Sequence, residues 1–163
     1  MILDLFAPHT AEEMWERLGH QPAVALAGCA GTLRVVDHPS PNQDDRVRFL
    51  VLHFTDGDFR RSLNVLTDAH SSAPVSAHYL LSAPGTPRAA PQIYRLVDEN
   101  RRAWHAGVSQ WQGRSGLNDT SIGIEIVNPG HEFGYRAFPE EQVEAVTALA
   151  TDIVARHGIA PTG

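Results

Sequence analysis

The stretch Phe49-Leu50-Val51-Leu52-His53-Phe54-Thr55 limits the possible folds of this chain more than any other. Apolar and β-branched residues run into a histidine and then into Asp56-Gly57-Asp58. That pattern predicts a buried strand ending at a polar edge, with His53 delivered at its tip. A histidine so placed is either a core residue with its nitrogens satisfied or a metal ligand, and the stretch alone leaves both readings open.

The 163 residues suit one domain with a real core. A hydrophobic share of 42% and a charged share of 20% are those of an ordinary globular chain. A formal net charge of −6, with the basic residues scattered and all of them Arg, argues against nucleic-acid binding, which needs clustered cations. A single Cys excludes an internal disulfide framework and a cysteine-based metal cluster. Nine His then make His with carboxylates the natural ligand set. No apolar run reaches the roughly 20 residues of a membrane-spanning helix.

After the opening strand, Asp58 to Leu66 predicts a short helix with Phe59, Leu63 and Leu66 on one face. Ser76–Leu81 and Gln92–Val97 read as strands, and Ala103-Trp104-His105-Ala106-Gly107 as a turn beside a cleft. Residues 108–119, rich in Gly, Ser, Gln and Asn, read as an irregular loop. Thr120–Val127 alternates as a strand in which Gly123 implies close backbone approach. Pro139 opens a helix with Val143, Val146, Leu149 and Ile153 at helical spacing, running to about His157 and stopping at Gly158. The fold class expected is α/β: a central mixed sheet of about five or six strands with helices on both faces.

Upstream, residues 1–28 predict a separate helical segment, with a capping box at Thr10-Ala11-Glu12-Glu13. Residues 5–20 resemble the helical C-terminal region of leucyl-tRNA synthetases, without any catalytic motif. Leu26-Ala27-Gly28-Cys29 fits a lipobox, yet the basic and apolar leader that export needs does not precede it. The expected division is therefore 1–28 foreign to the domain, 29–48 as lead-in, and 49–163 as the domain proper. Leu33-Arg34-Val35-Val36 is a short strand candidate in the lead-in.

His53, His78, His105 and Glu125 each sit on or just after a sheet-forming segment, and strand ends are where α/β sheets bind ligands. A metal hydrolase needs three protein ligands, an open position for water, and a carboxylate to take the water's proton. Four segments occur in order: Val51-Leu52-His53-Phe54-Thr55, Val75-Ser76-Ala77-His78-Tyr79-Leu80, Ala103-Trp104-His105-Ala106-Gly107 and Leu117-Asn118-Asp119-Thr120-Ser121-Ile122-Gly123-Ile124-Glu125. Together they closely resemble the type-2 N-acetylmuramoyl-L-alanine amidases, relatives of the peptidoglycan-recognition proteins, and within them the AmiD-like branch of envelope lipoproteins.

The resemblance implies zinc-dependent hydrolysis of the amide between N-acetylmuramic acid and L-alanine, with peptidoglycan or muropeptides as partner. It implies a cell-envelope location, with a lipid anchor at Cys29 given a competent signal. Residue by residue, it makes His53 the first zinc ligand and Glu125 the acid/base carboxylate. Trp104 and His105 become the cleft-lining pair, substrate-contacting or structural rather than ligating, and His78 a structural residue near the site. In the resembling family, two more zinc ligands and an oxyanion-holding lysine follow the helix that ends here at His157-Gly158-Ile159. The sequence stops at Pro161-Thr162-Gly163, so the expectation is an incomplete zinc site and impaired activity. The rival expectation is a peptidoglycan-binding module that does not cut.

Overall fold

The computed structural model describes residues 36–85, 90–130 and 136–160. Met1–Asn42 and Gln43–Gly163 form separate compact units, and the regular elements described belong to the second. The expected helical segment 1–28, the lipobox at Cys29 and all but Val36 of the strand at 33–36 lie outside the described residues.

The elements, in order, are β1 (Phe49–Phe54), α1 (Phe59–Thr67), β2 (Tyr79–Leu81), β3 (Ile93–Arg95), β4 (Gln110–Trp111), β5 (Arg114–Ser115), α2 (Leu117–Thr120), β6 (Ser121–Ile126) and α3 (Glu140–His157). One four-stranded sheet has the order β1-β6-β2-β3, and β4 and β5 form a separate two-stranded hairpin. β6 runs parallel to both β1 and β2, whereas β3 is antiparallel to β2, so the sheet is mixed as expected.

Register sorts the side chains onto two faces, because paired residues on neighbouring strands point the same way and successive residues alternate. Ile122, Ile124 and Ile126 share a face with Tyr79, Leu81 and Leu50. There they form the buried core with Val47 and with Ile153 of α3, flanked by Ala145, Val146 and Leu149. Burying each such aliphatic side chain is worth about 1.5–3 kcal/mol. The opposite face carries Val51, His53, Gly123, Glu125 and Leu80. α1 lies on that side, since its Phe59 ring packs 4.8 Å from Tyr94, the register partner of Leu80.

Capping explains where the helices begin and end. Asp58 accepts from the Arg61 N–H at 2.9 Å and starts α1. Gly158, at φ 60°, ends α3 in the left-handed region that glycine tolerates. Gln142 in the first turn of α3 is 1% exposed, and its Nε2 donates to the carbonyls of Ser82 and Val127. That fastens the helix to the ends of β2 and β6. No described helix is long and apolar enough to cross a membrane.

The structure corrects three expectations. The described sheet has four strands rather than five or six. Ser76, Ala77 and His78 precede β2 rather than belong to it. Residues 108–119 hold a hairpin and the start of α2, not a structureless loop. The hairpin turns through Gln112 (φ 47°) and Gly113 (φ 77°), the paired left-handed conformation that suits a two-residue connection.

Candidate active site

His53 and Glu125 are register partners across the parallel β1–β6 pair, so strand pairing alone brings together two residues far apart in sequence. His105 arrives from the turn after β3. Its backbone N–H and that of Ala106 both donate to Asn118 Oδ1, at 3.0 and 2.8 Å. Asn118 is buried in α2, so the short helix clamps the turn against β6. The His105 ring then lies on the backbone of Gly123, where a Cβ would fall 2.4 Å from the ring. The close approach expected at Gly123 is thus to the imidazole of His105.

A hydrogen-bonded chain runs through these side chains. His53 Nε2 is 3.0 Å from His105 Nδ1, and His105 Nε2 is 3.1 Å from Ser121 Oγ. Ser121 donates its proton to the Leu117 carbonyl. The Ser-His-His order superficially suggests a nucleophilic relay, but Ser121 is wholly buried and its hydroxyl proton is committed to that carbonyl. It anchors the ring and attacks nothing.

His78 has the structural role that the sequence led us to expect. It is fully buried, its Nδ1 accepts from the Gly123 N–H at 3.0 Å, and its Nε2 donates to the Arg101 carbonyl at 3.1 Å. Both nitrogens are therefore used. Burial lowers its pKa, which keeps the ring neutral.

Beside this chain lies a cleft of about 300 Å³, lined by Thr55 and Asp56 after β1, by Ser62 and Val65 of α1, by Trp104 and His105, and by Glu125. Trp104 is 47% exposed, a large aromatic face left open to a ligand. Burial, and secondarily the charge of Asp56, pushes the Glu125 carboxyl up to about 7. A carboxyl poised near neutrality can take and return a proton. Burial, with His53, His78 and Arg46 nearby, drives His105 down to about 4, and burial lowers His53 as well. Both rings are neutral at pH 7.

The donor set fits one corner of a metal site. His105 spends both nitrogens on His53 and Ser121, which leaves His53 Nδ1 as the open imidazole nitrogen of the chain. Zinc wants three or four donors, and no group of three suitable side chains is close enough among the described residues. Of the other histidines, His157 bonds to Glu99 at 2.7 Å, His70 is exposed, and His131 lies outside the described residues. Ser121, Asn118 and Asp56 were not anticipated as site residues. Ser121, a hydroxyl beside Thr120 at the start of an apolar alternating strand, was the only signal among them.

With this geometry established, comparison with known proteins becomes informative. The profile of the family described as N-acetylmuramoyl-L-alanine amidase matches residues 43–163. The chain belongs to the N-acetylmuramoyl-L-alanine amidase family. This amidase-family chain is 41% identical over 154 residues to N-acetylmuramoyl-L-alanine amidase AmiD of Escherichia coli, covering 85% of the chain and 54% of the relative. It also superposes on crystalline AmpDh3 of Pseudomonas aeruginosa, in complex with anhydromuramic pentapeptide, at TM-score 0.66 and 40% identity. That match covers 79% of the chain and 53% of AmpDh3. The chain thus spans about half the length of these relatives. A shorter likeness, 71% over 28 residues, is to leucine–tRNA ligase of Acidothermus cellulolyticus, covering 17% of the chain and 3% of that enzyme. The expected resemblance to both families is therefore present, with the amidase accounting for the domain.

Proposed function

We propose that this domain hydrolyses the amide between N-acetylmuramic acid and L-alanine of peptidoglycan or muropeptides in the cell envelope. The observation that carries the reading is Glu125: a half-buried carboxyl, titrating near 7, in register with His53 and lining a cleft beside an open tryptophan.

In this reading Glu125 accepts a proton from the attacking water and returns it to the leaving amine of L-alanine. The low-polarity setting that raises its pKa also makes it a good donor in the second half of that exchange. Trp104 offers its face to the sugar or stem peptide, and His105 lines the same cleft. His53, through Nδ1, is the described residue that would hold a zinc ion, and the further ligands that zinc needs are not gathered among the described residues. Zinc, when bound, supplies a Lewis acid that polarises the carbonyl and acidifies water. The domain proper occupies 49–163, with 29–48 leading in, 1–28 foreign to it, and Cys29 a lipid-anchor position where a signal supports it.

Glu125→Gln tests the reading. Release of peptide from a purified muropeptide with zinc present should fall by roughly 10²–10⁴-fold, while muropeptide affinity stays within about threefold on the same scale of effects. Equal turnover by the variant would remove Glu125 from the chemistry. One observation favours a second reading, a binding module that does not cut: no three metal donors converge among the described residues. Tight muropeptide binding by the unmodified chain, with no hydrolysis at saturating zinc, would favour that module.

A further inference from the structure

The direction of each hydrogen bond in the His53–His105–Ser121 chain follows from its far end. The Leu117 carbonyl can only accept, so the Ser121 hydroxyl donates to it. With its proton spent there, Ser121 Oγ faces His105 Nε2 as an acceptor, and Nε2 must carry a proton. A neutral His105 then has a bare Nδ1. Only one proton can lie between that nitrogen and His53 Nε2, 3.0 Å away, and it belongs to His53. A neutral His53 is thereby left with an unprotonated Nδ1. The ring of His105 cannot swing out of this role cheaply. The backbone of Gly123 lies against one of its faces, and its own backbone N–H is held by the buried side chain of Asn118.

We propose that His105, anchored by Ser121, is a positioning residue that locks His53 in the tautomer with Nε2 protonated and Nδ1 bare, ready to bind a metal ion. The metal-binding half of this statement rests on the reading of His53 as a zinc ligand; the tautomer half does not. A partner on the far nitrogen of a ligating histidine fixes the ring's orientation and tautomer, and its loss commonly weakens metal binding about 10–100-fold. Here the partner is a second histidine rather than a carboxylate, so it holds the ring without adding negative charge beside the metal.

Long-range proton–nitrogen correlation on the metal-free, full 163-residue chain reads the tautomer directly. His53 is expected as the Nε2–H form; an Nδ1–H form overturns the proposal without any variant being made. In His105→Asn, whose Oδ1 can accept near the place of Nδ1, the preference should persist. In His105→Leu it should disappear, and zinc affinity should fall about 10–100-fold, with the Asn variant recovering part of the loss. A His105→Leu variant that keeps both the tautomer and the zinc affinity refutes positioning. Failure of the ligand reading looks different: zinc binding that is absent, or unchanged in His53→Ala, counts against His53 as ligand. The tautomer then remains the judge of His105.

Discussion

A methyl group at position 123 would sit 2.4–2.7 Å from three atoms of the His105 ring, and real Cβ atoms do not approach so closely. Since the ring is held at its backbone, the strain cannot be relieved by a flexible chain end. Gly123→Ala should therefore destabilise the domain by about 1–3 kcal/mol, as overpacking does, and should weaken the His53–His105 hydrogen bond. Urea denaturation measures the first effect and imidazole nitrogen shifts the second; an unchanged unfolding midpoint would mean the ring yields freely. At this scale the sequence was partly legible. Gly123 inside an apolar alternating strand signalled close approach, because a strand has no other reason to give up a side chain there. His53 and His78, by contrast, carry no local mark that separates them. What makes His78 structural is the Gly123 N–H and the Arg101 carbonyl, brought to it from remote segments, while His53 keeps one nitrogen open. That difference exists only after folding.

Among the elements, α1 is both a wall of the cleft and a helix of only nine residues, too short to persist without help. Its Asp58 cap satisfies the Arg61 N–H. Asp58→Ala should cost about 1 kcal/mol and loosen Ser62 and Val65 at the cleft wall. Thermal melts should show the loss, and faster amide exchange confined to α1 should locate it. The long helices and strands were readable because their periodicity runs over several turns or repeats. Residues 108–119 were not, because Gly, Ser, Gln and Asn signal turns equally well in a loop, a two-residue hairpin or a four-residue helix. The cluster at the end of α3 was illegible for another reason. Glu99 accepts from Tyr79, Arg156 and His157, a meeting of four side chains from three separate segments. Read in the sequence, His157 marks only the end of the helix, and nothing local points to Glu99.

For the molecule as a whole, two carboxyls set opposing pH trends in stability. Hydrogen bonds from Arg156, then from Tyr79 and His157, hold Glu99 well below its ordinary value of 4.5. The folded state thus binds fewer protons there, and its stabilisation, complete above the unfolded pKa, is lost as pH falls below about 4.5. Glu125 is raised to about 7, so the folded state holds a proton that the unfolded chain releases above 4.5. Its contribution to stability therefore declines as pH rises from 4.5 toward 7. His105, driven down to about 4, and the lowered His53 and His78 work the other way, because below 6.5 the unfolded chain binds protons there that the folded state does not. Melting of the metal-free chain should therefore rise with pH toward about 6.5. Glu99→Gln should flatten the acid limb, and Glu125→Gln should steepen the rise toward neutrality. A profile unaltered by Glu125→Gln would show that its carboxyl titrates normally. The parallel pairing of β1 with β6 has one more consequence, in the order of events during synthesis. β1 leaves the ribosome long before β6, and among the described strands β6 is its only partner. Until Ser121–Ile126 emerges and the intervening loop closes, His53 has neither Glu125 beside it nor a fixed ring. Every nascent chain therefore passes through a long interval in which β1 lacks its one partner among the described strands and the site does not yet exist.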